Sequence, residues 1–344
     1  MRSVVIHKEK DLRIEERDVG GPGPGQVAVR VSTGGICGSD MHYFNHGGFG
    51  TIRLKEPMIL GHEVSGVITA LGAGVSGLSL GALVAVNPGI ACGHCQYCLE
   101  GLPNHCSDMR FYGSAMRVPH IQGAFRDVLI CEAVQIAPAE APVAPGLLAL
   151  SEPFSVALHA VSRAGSLLGK RVLVSGCGPI GALVVAAAHY HGAAEVIATD
   201  VVPEPLVIAR KLGADRTIDV AANGADLAAL AAGKGTVDVM FECSGNERAL
   251  RAGLEALRPR GTVVQLGLGG DVSLPQNLVV TKELQVIGSF RFYAEFKLAV
   301  HLISTGRIDL SPLITQTFPV ADALSAFNAA NDRKSQMKVQ LDFA

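Results

Sequence analysis

Cys92, Cys95, Cys98 and Cys106 stand in a C-x2-C-x2-C-x7-C pattern, in a loop that also carries Gly93, Gly101 and Pro103. Four thiolates this near in sequence can close a tetrahedral shell around one zinc ion and leave no open position, which makes a structural metal site. Core cysteines would follow an apolar period, whereas these lie among Gly, His, Gln and Asn. Redox chemistry is the alternative use of the same spacing. A second group of candidate ligands is dispersed. Cys37 is followed by Gly38-Ser39-Asp40-Met41-His42, His62-Glu63 follows Gly61, and Glu152 sits in Ser151-Glu152-Pro153 at the start of an expected helix. One Cys, one His and one or two carboxylates would leave zinc an open position, as catalysis requires. On spacing alone, a buried Cys and a surface His-Glu pair explain these residues equally well, because Cys37 and His62 are 25 positions apart.

Gly176-Cys177-Gly178-Pro179-Ile180-Gly181 comes directly after an expected strand, Val172–Ser175, and before an apolar helix, Ala182–Ala188. In that order the glycines allow a tight turn, close backbone approach to a pyrophosphate, and close helix–strand packing. The helix N-terminus adds free N–H groups and a positive dipole end. Asp200 closes the next expected strand 19 residues after Gly181, where a carboxylate can accept hydrogen bonds from the ribose hydroxyls of NAD. Val201, Val202 and Pro203 follow, with no Arg or Lys before Arg210. A 2′-phosphate would meet a carboxylate and no cation, so NAD is expected over NADP.

Two domains are expected to carry these groups, since 344 residues exceed one ordinary domain. With 49% hydrophobic and 17% charged residues, the chain has material for two buried cores. Up to about residue 150, short β-like runs such as Gln26–Val31 and Val64–Ala70 alternate with Gly- and Pro-rich turns. Thereafter a strand–helix alternation predicts a parallel sheet from Val172–Ser175, Glu195–Thr199, Arg216–Asp219, Val237–Glu242, Thr262–Leu266 and Leu284–Ile287. Glu204–Leu212 and Glu247–Leu257 are among the intervening helices. After Arg291 two helices and a closing strand, Met337–Phe343, are expected to return to the first domain. The boundaries are therefore 1–150 with 291–344, and 151–290. A formal charge of -2 gives no electrostatic footprint for nucleic acid or an anionic membrane surface. The most apolar window, Ile180–Thr199, is broken by His189, His191 and Glu195, so no membrane span is expected. Met1–Lys10 is charged and lacks the apolar segment of a signal peptide, so a cytoplasmic protein with reduced thiols is expected.

Together, the Cys37–His42 segment, Gly61-His62-Glu63, the four-cysteine loop and Glu152-Pro153 resemble the zinc-containing medium-chain dehydrogenases over essentially the whole chain. The Glu after the His and the Glu-Pro element are similar to the sorbitol (polyol) dehydrogenase branch. The resemblance implies an α/β chain: a GroES-like, mostly β catalytic domain, a Rossmann domain with a doubly wound parallel sheet, and an active-site cleft between them. It also implies two zinc ions per chain, one catalytic and one structural, and a homodimer or homotetramer. Cys37, His62 and Glu63 would hold the catalytic zinc, with water or substrate in the fourth place. Glu152 would bind it directly or through water. Asp40 would orient His62, and Ser39 and His42 would relay the proton of a secondary hydroxyl whose hydride goes to the nicotinamide.

Met109-Arg110-Phe111-Tyr112-Gly113-Ser114-Ala115-Met116, Pro119-His120 and Gly288-Ser289-Phe290-Arg291-Phe292 are similar to the L-idonate 5-dehydrogenase group within that branch. That group oxidises a sugar acid to 5-keto-D-gluconate. A substrate carboxylate needs a cation, and Arg291 and Arg110 rank first, with Arg117 as a further candidate and His120 as a supplementary donor. A salt bridge or a solvated side chain is the plain alternative for each arginine. Neutral-polyol (sorbitol or xylitol) and threonine dehydrogenases share the same zinc and cofactor motifs. A catalytically silent NAD(P)-binding protein would be expected to lack a metal ligand, and none is missing here. His189 and His191 read as surface residues, Cys131 as core, and Cys177 and Cys243 as small residues beside the cofactor turn.

Overall fold

The computed structural model describes residues 1–344. The chain divides into two compact units. The first comprises Met1–Glu152, Phe296–Arg307 and Ile314–Ala344; the second comprises Pro153–Glu295 and Ile308–Leu313. The short piece Ile308–Leu313 clusters with the second unit and not with the rest of the C-terminal segment.

The first unit is built around a seven-stranded sheet. Its long strand Gln26–Gly35 pairs antiparallel with Glu63–Leu71, Val128–Glu132 and Lys338–Asp342. Val27, Val29 and Val31 lie in one cluster with Ile68, Val84 and Leu129, each at most 2% exposed. β-Branched side chains suit this pleated, buried surface. The closing strand pairs in parallel with Ile314–Pro319, a strand that sequence alone does not predict. That strand lies at the sheet edge and is largely exposed, so it lacks an apolar run. The expected helices after Arg291 are Glu295–Ser304 and Ala323–Ala329.

The second unit carries six parallel strands, and all six match expected ones. The order runs Arg216–Asp219, Glu195–Asp200, Arg171–Ser175, Val237–Glu242, Leu257–Gln265, Gln285–Gly288. This is the doubly wound arrangement, and its order reverses between Arg171–Ser175 and Val237–Glu242. Gly181 to Ala188 of the helix Pro179–Tyr190 are all buried, which explains why that stretch is apolar all round. The helix Glu247–Ala256 is closed at both ends by side chains. Asn246 accepts from the amides of Arg248 and Ala249, and Lys282 Nζ donates to the carbonyls of Glu255 and Leu257 at 2.7 Å each. No helix is long and apolar enough to cross a membrane.

Glu295 pairs with His159 at 3.0 Å and accepts from the Tyr293 amide at 2.9 Å. Burial acts to raise its pKa, but these bonds outweigh burial and hold the carboxyl at about 2. A carboxyl depressed in the folded state stabilises above the ordinary carboxylate range and loses that contribution as pH falls through the folded value. Glu295→Gln is therefore expected to cost roughly 1–2 kcal/mol at pH 7, after allowance for partial solvation. Thermal melts should show the gap to wild type narrowing below pH 4.5 and closing near pH 2. A gap that stays constant across that range would rule out the ion pair as its source.

Candidate active site

Cys37 ends the turn that follows Gln26–Gly35 and caps the helix Gly38–His46. His62 and Glu63 enter on the neighbouring strand, where Glu63 stands opposite Gly35. The sheet register thus closes the 25-residue gap. The ligand atoms of Cys37, His62 and Glu63 lie within 4.8 Å of one another, and His62 and Glu63 are 5% and 1% exposed. Asp40 binds both ligand-bearing segments, accepting from the Cys37 amide at 3.0 Å and the Gly61 amide at 3.1 Å. Its Oδ1 lies 3.8 Å from His62 Nδ1, a charge contact outside hydrogen-bond reach. His62 Nδ1 is buried and makes no hydrogen bond.

The electrostatics of this group favour a cation. Burial lowers the His62 pKa, but Asp40, Cys37 and Glu152 outweigh burial and hold it well above the ordinary histidine value. Burial, joined by Glu63 and Asp40, pushes Glu152 up to about 7 against the pull of His62 and Lys338. Sulfur, imidazole and carboxylate packed this closely fit a zinc ion with an open position. Glu152 acts on the group through charge and stands outside the three mutually close ligand atoms. Ser39 and His42 lie three residues apart on the helix Gly38–His46 and so share a face. The His42 ring packs on Phe49 at 4.8 Å. Burial, with His46 and Arg333, lowers its pKa and favours the neutral imidazole that accepts a proton.

The four thiols of the cysteine loop also lie within 4.8 Å of one another. Cys92 Sγ and Cys98 Sγ are 4.0 Å apart, and Cys95 Sγ and Cys106 Sγ are 3.9 Å apart. A tetrahedron of zinc–sulfur bonds near 2.3 Å has edges of about 3.8 Å, so the group matches a structural zinc. The amides of Cys92 and Asp108 donate to Cys106 Sγ, and that of Cys95 donates to Cys92 Sγ. Amides of Cys98 and Ser107 hold the Cys95 thiol down to about 6, whereas desolvation and the neighbouring thiols push Cys98 up to about 12. One thiolate forms readily here, and four together call for a metal cation.

At the glycine turn, Gly176 has φ 84° and donates its N–H to the Thr199 carbonyl at 2.8 Å. Pro179 takes the first helical position, and Gly178 caps the helix. A Cβ at Gly181 would overlap the Gly176 carbonyl oxygen, whereas one at Gly178 would meet nothing within 4 Å. Gly178 therefore leaves open space in front of the helix N-terminus, which fits an approaching pyrophosphate. Asp200 accepts from the Cys177 amide at 2.7 Å and the Val202 amide at 3.0 Å, so it fixes the turn while keeping lone pairs for a ribose.

Residues 23–141 match the alcohol dehydrogenase GroES-like domain, and residues 179–305 match the zinc-binding dehydrogenase domain. The chain is 40% identical to L-idonate 5-dehydrogenase (NAD(P)(+)) of Escherichia coli (strain K12), over 99% of this chain and 98% of that protein. It belongs to the zinc-binding dehydrogenases. The crystal structure of the Escherichia coli L-idonate 5-dehydrogenase superposes with a TM-score of 0.95, covering 99% of this chain and 97% of the other. Sorbitol dehydrogenase of Gallus gallus is 36% identical over 98% of this chain and 95% of its own.

In this dehydrogenase the candidate substrate residues differ in their freedom. Arg110 is exposed and has no carboxylate partner, and it starts the short strand Arg110–Phe111. The next ring, Phe111, packs 5.5 Å from His62. Arg117 is held by Asp108 at 2.7 Å. His120 is not a free donor, contrary to expectation. Its Nε2 accepts from the Lys55 amide at 2.9 Å, and its Nδ1 donates to the Arg117 carbonyl at 2.6 Å. Both ring nitrogens are used, so His120 fixes loops. Arg291 has a left-handed backbone, φ 56°, and its guanidinium lies 4.8 Å from the Phe290 ring centroid. A left-handed non-glycine residue stores strain that often marks a functional position. Lys338 was not foreseen: it donates to both Glu63 oxygens at 2.7 Å.

Proposed function

We propose that this dehydrogenase oxidises the C5 hydroxyl of L-idonate to 5-keto-D-gluconate, with NAD as acceptor, in the cytoplasm. The observation that carries the reading is the Cys37, His62 and Glu63 group, whose ligand atoms lie within 4.8 Å of one another and suit oxidation of a hydroxyl. Arg110, exposed and without a carboxylate partner of its own, is a cation available to a substrate carboxylate. The name of the Escherichia coli relative supports the same substrate. Asp200 with no cation through Pro203 supports NAD over NADP.

Cys37, His62 and Glu63 hold the catalytic zinc, Glu152 lies beside it, and Cys92, Cys95, Cys98 and Cys106 hold the structural one. A zinc ion held there would supply Lewis-acid polarisation of the substrate hydroxyl, and a bound nicotinamide would supply the hydride acceptor. Ser39 accepts the hydroxyl proton, and His42, favoured in its neutral form, passes it outward. Asp40 keeps the two ligand-bearing segments in register through its amide bonds. Gly176, Gly178, Pro179, Ile180, Gly181 and Asp200 receive the dinucleotide. The edge strand Gln285–Gly288, with Val286 46% exposed, supports a homodimer or homotetramer joined through that edge.

The test is the initial rate of NAD reduction by zinc-replete protein with L-idonate against D-sorbitol at equal concentration. L-Idonate is expected to be preferred, and Arg110→Ala should raise its KM by roughly 10- to 30-fold while leaving any sorbitol rate unchanged. Preference for sorbitol, the substrate suggested by the Gallus gallus relative, would make this a polyol dehydrogenase.

A further inference from the structure

Glu242 ends the strand Val237–Glu242, which lies just beyond the reversal of strand order in the second unit. It is 0% exposed. Burying a carboxylate is costly unless its lone pairs are filled, and four donors fill them here. Oε1 accepts from the amide and the hydroxyl of Ser244; Oε2 accepts from the Gly245 amide at 3.0 Å and the Gln265 side chain at 2.6 Å. All four donors are neutral, so dipoles hold the charge and no cation is among them. The Glu242 carbonyl accepts a further pair, the amides of Leu266 and Gly267, at 2.9 Å each. One residue thus ties the loop after its own strand to the loop after its neighbour, Leu257–Gln265. The loops are drawn in so closely that a Cβ at Gly267 would overlap the Gly245 amide nitrogen. The first loop also abuts the glycine turn: a Cβ at Gly176 would lie 2.7 Å from Ser244 Cβ, and one at Gly181 would lie 3.5 Å from Cys243 Cβ.

We propose that Glu242 is a positioning residue for the dinucleotide, and that its charge, balanced by no cation, biases the site toward the oxidised cofactor. This rests on the reading that Gly176–Gly181 and Asp200 receive the dinucleotide. In a doubly wound sheet the cofactor lies across the strand reversal, with one nucleotide on each side. The glycine turn and Asp200 belong to the side that takes the adenosine half. The loops after Glu242 and Gln265 therefore belong to the side that takes the nicotinamide. That ring carries a positive charge when oxidised and none when reduced. A fixed anion beneath those loops attracts the first form and not the second, and burial keeps solvent from screening it. Loop positioning by itself serves both forms alike, so the charge is what distinguishes them.

The experiment measures dissociation constants for NADH, by fluorescence titration of the full zinc-replete chain, and for NAD+, by displacement of NADH. Glu242→Gln removes the charge at nearly constant shape. It should weaken NAD+ at least about fivefold more than NADH, equivalent to roughly 1 kcal/mol. Gln265→Lys keeps the carboxylate but sets an ammonium beside Oε2; it should give the same shift, and it serves if the first variant does not fold. Glu242→Asp keeps the charge on a shorter arm, so both forms should weaken while their ratio stays at the wild-type value. Loss of a merely structural glutamate would weaken both forms equally, so an unchanged ratio in Glu242→Gln and Gln265→Lys overturns the proposal. A wild-type protein that binds neither form overturns the dinucleotide reading, and this proposal with it.

Discussion

Replacing Cys37 with Ser is expected to lower kcat/KM by at least about 10³-fold, equivalent to roughly 4 kcal/mol of transition-state stabilisation. The fold should survive, because Cys37 is a helix cap at the end of a strand whose register is set by neighbouring backbone bonds. The four-cysteine loop forms its own cluster from separate residues, so its zinc should remain. Total zinc should fall from two per chain to one, while the melting temperature moves little. Full activity in a variant shown by mass spectrometry to lack the second zinc would remove Cys37, His62 and Glu63 from the chemistry.

Gly181→Ala should weaken NADH binding by at least about 100-fold, or some 2.7 kcal/mol, and should also lower the melting temperature. The new methyl would overlap the Gly176 carbonyl oxygen. That peptide has little room to retreat: the Gly176 amide is bonded to Thr199, and a Cβ at Gly176 would lie 2.7 Å from Ser244 Cβ. The turn must therefore open. Gly178→Ala supplies the contrast, because its methyl would meet no protein atom within 4 Å. It should melt like wild type yet bind NADH poorly, since the methyl fills the space left for phosphate. Fluorescence titration and thermal melts together separate the two effects. If Gly178→Ala binds NADH normally, the dinucleotide does not pass over that glycine.

The four-cysteine loop and the glycine turn were legible because their chemistry is local. Cys92 to Cys106 are close enough in sequence to name a metal by themselves, and the glycines of Gly176–Gly181 need only the strand before them and the helix behind. The candidate metal group of Cys37, His62 and Glu63 is assembled by sheet register, which pairs Glu63 with Gly35, and spacing says nothing of that. Lys338 was hidden for a different reason. In Lys338–Asp342 the polar residues alternate with Val339 and Leu341, and such alternation suggests a polar face toward water. Both Lys338 and Gln340 are in fact buried, at 2% and 1% exposure, because each finds a partner inside. His120 misled in the opposite direction. A histidine within a block of candidate substrate residues looked available, yet backbone groups of two loops claim both its nitrogens. Sequence carries the type of a side chain but not the bonds that occupy it.

The strands Gln26–Gly35 and Lys338–Asp342 pair side by side although about 300 residues separate them in sequence. Until that pairing forms, the folding first unit has an unpaired sheet edge beside Cys37. Glu63 meanwhile lacks Lys338, which donates to both its oxygens in the finished fold. The second unit, whose six strands lie almost wholly in one continuous stretch, can form while that edge waits. Long-range closure of this kind is slow and prone to mispairing. Lys338–Asp342 therefore acts as a latch on the folding chain, and a molecule in which it has not docked would have its second unit formed and the Cys37, His62 and Glu63 group still open.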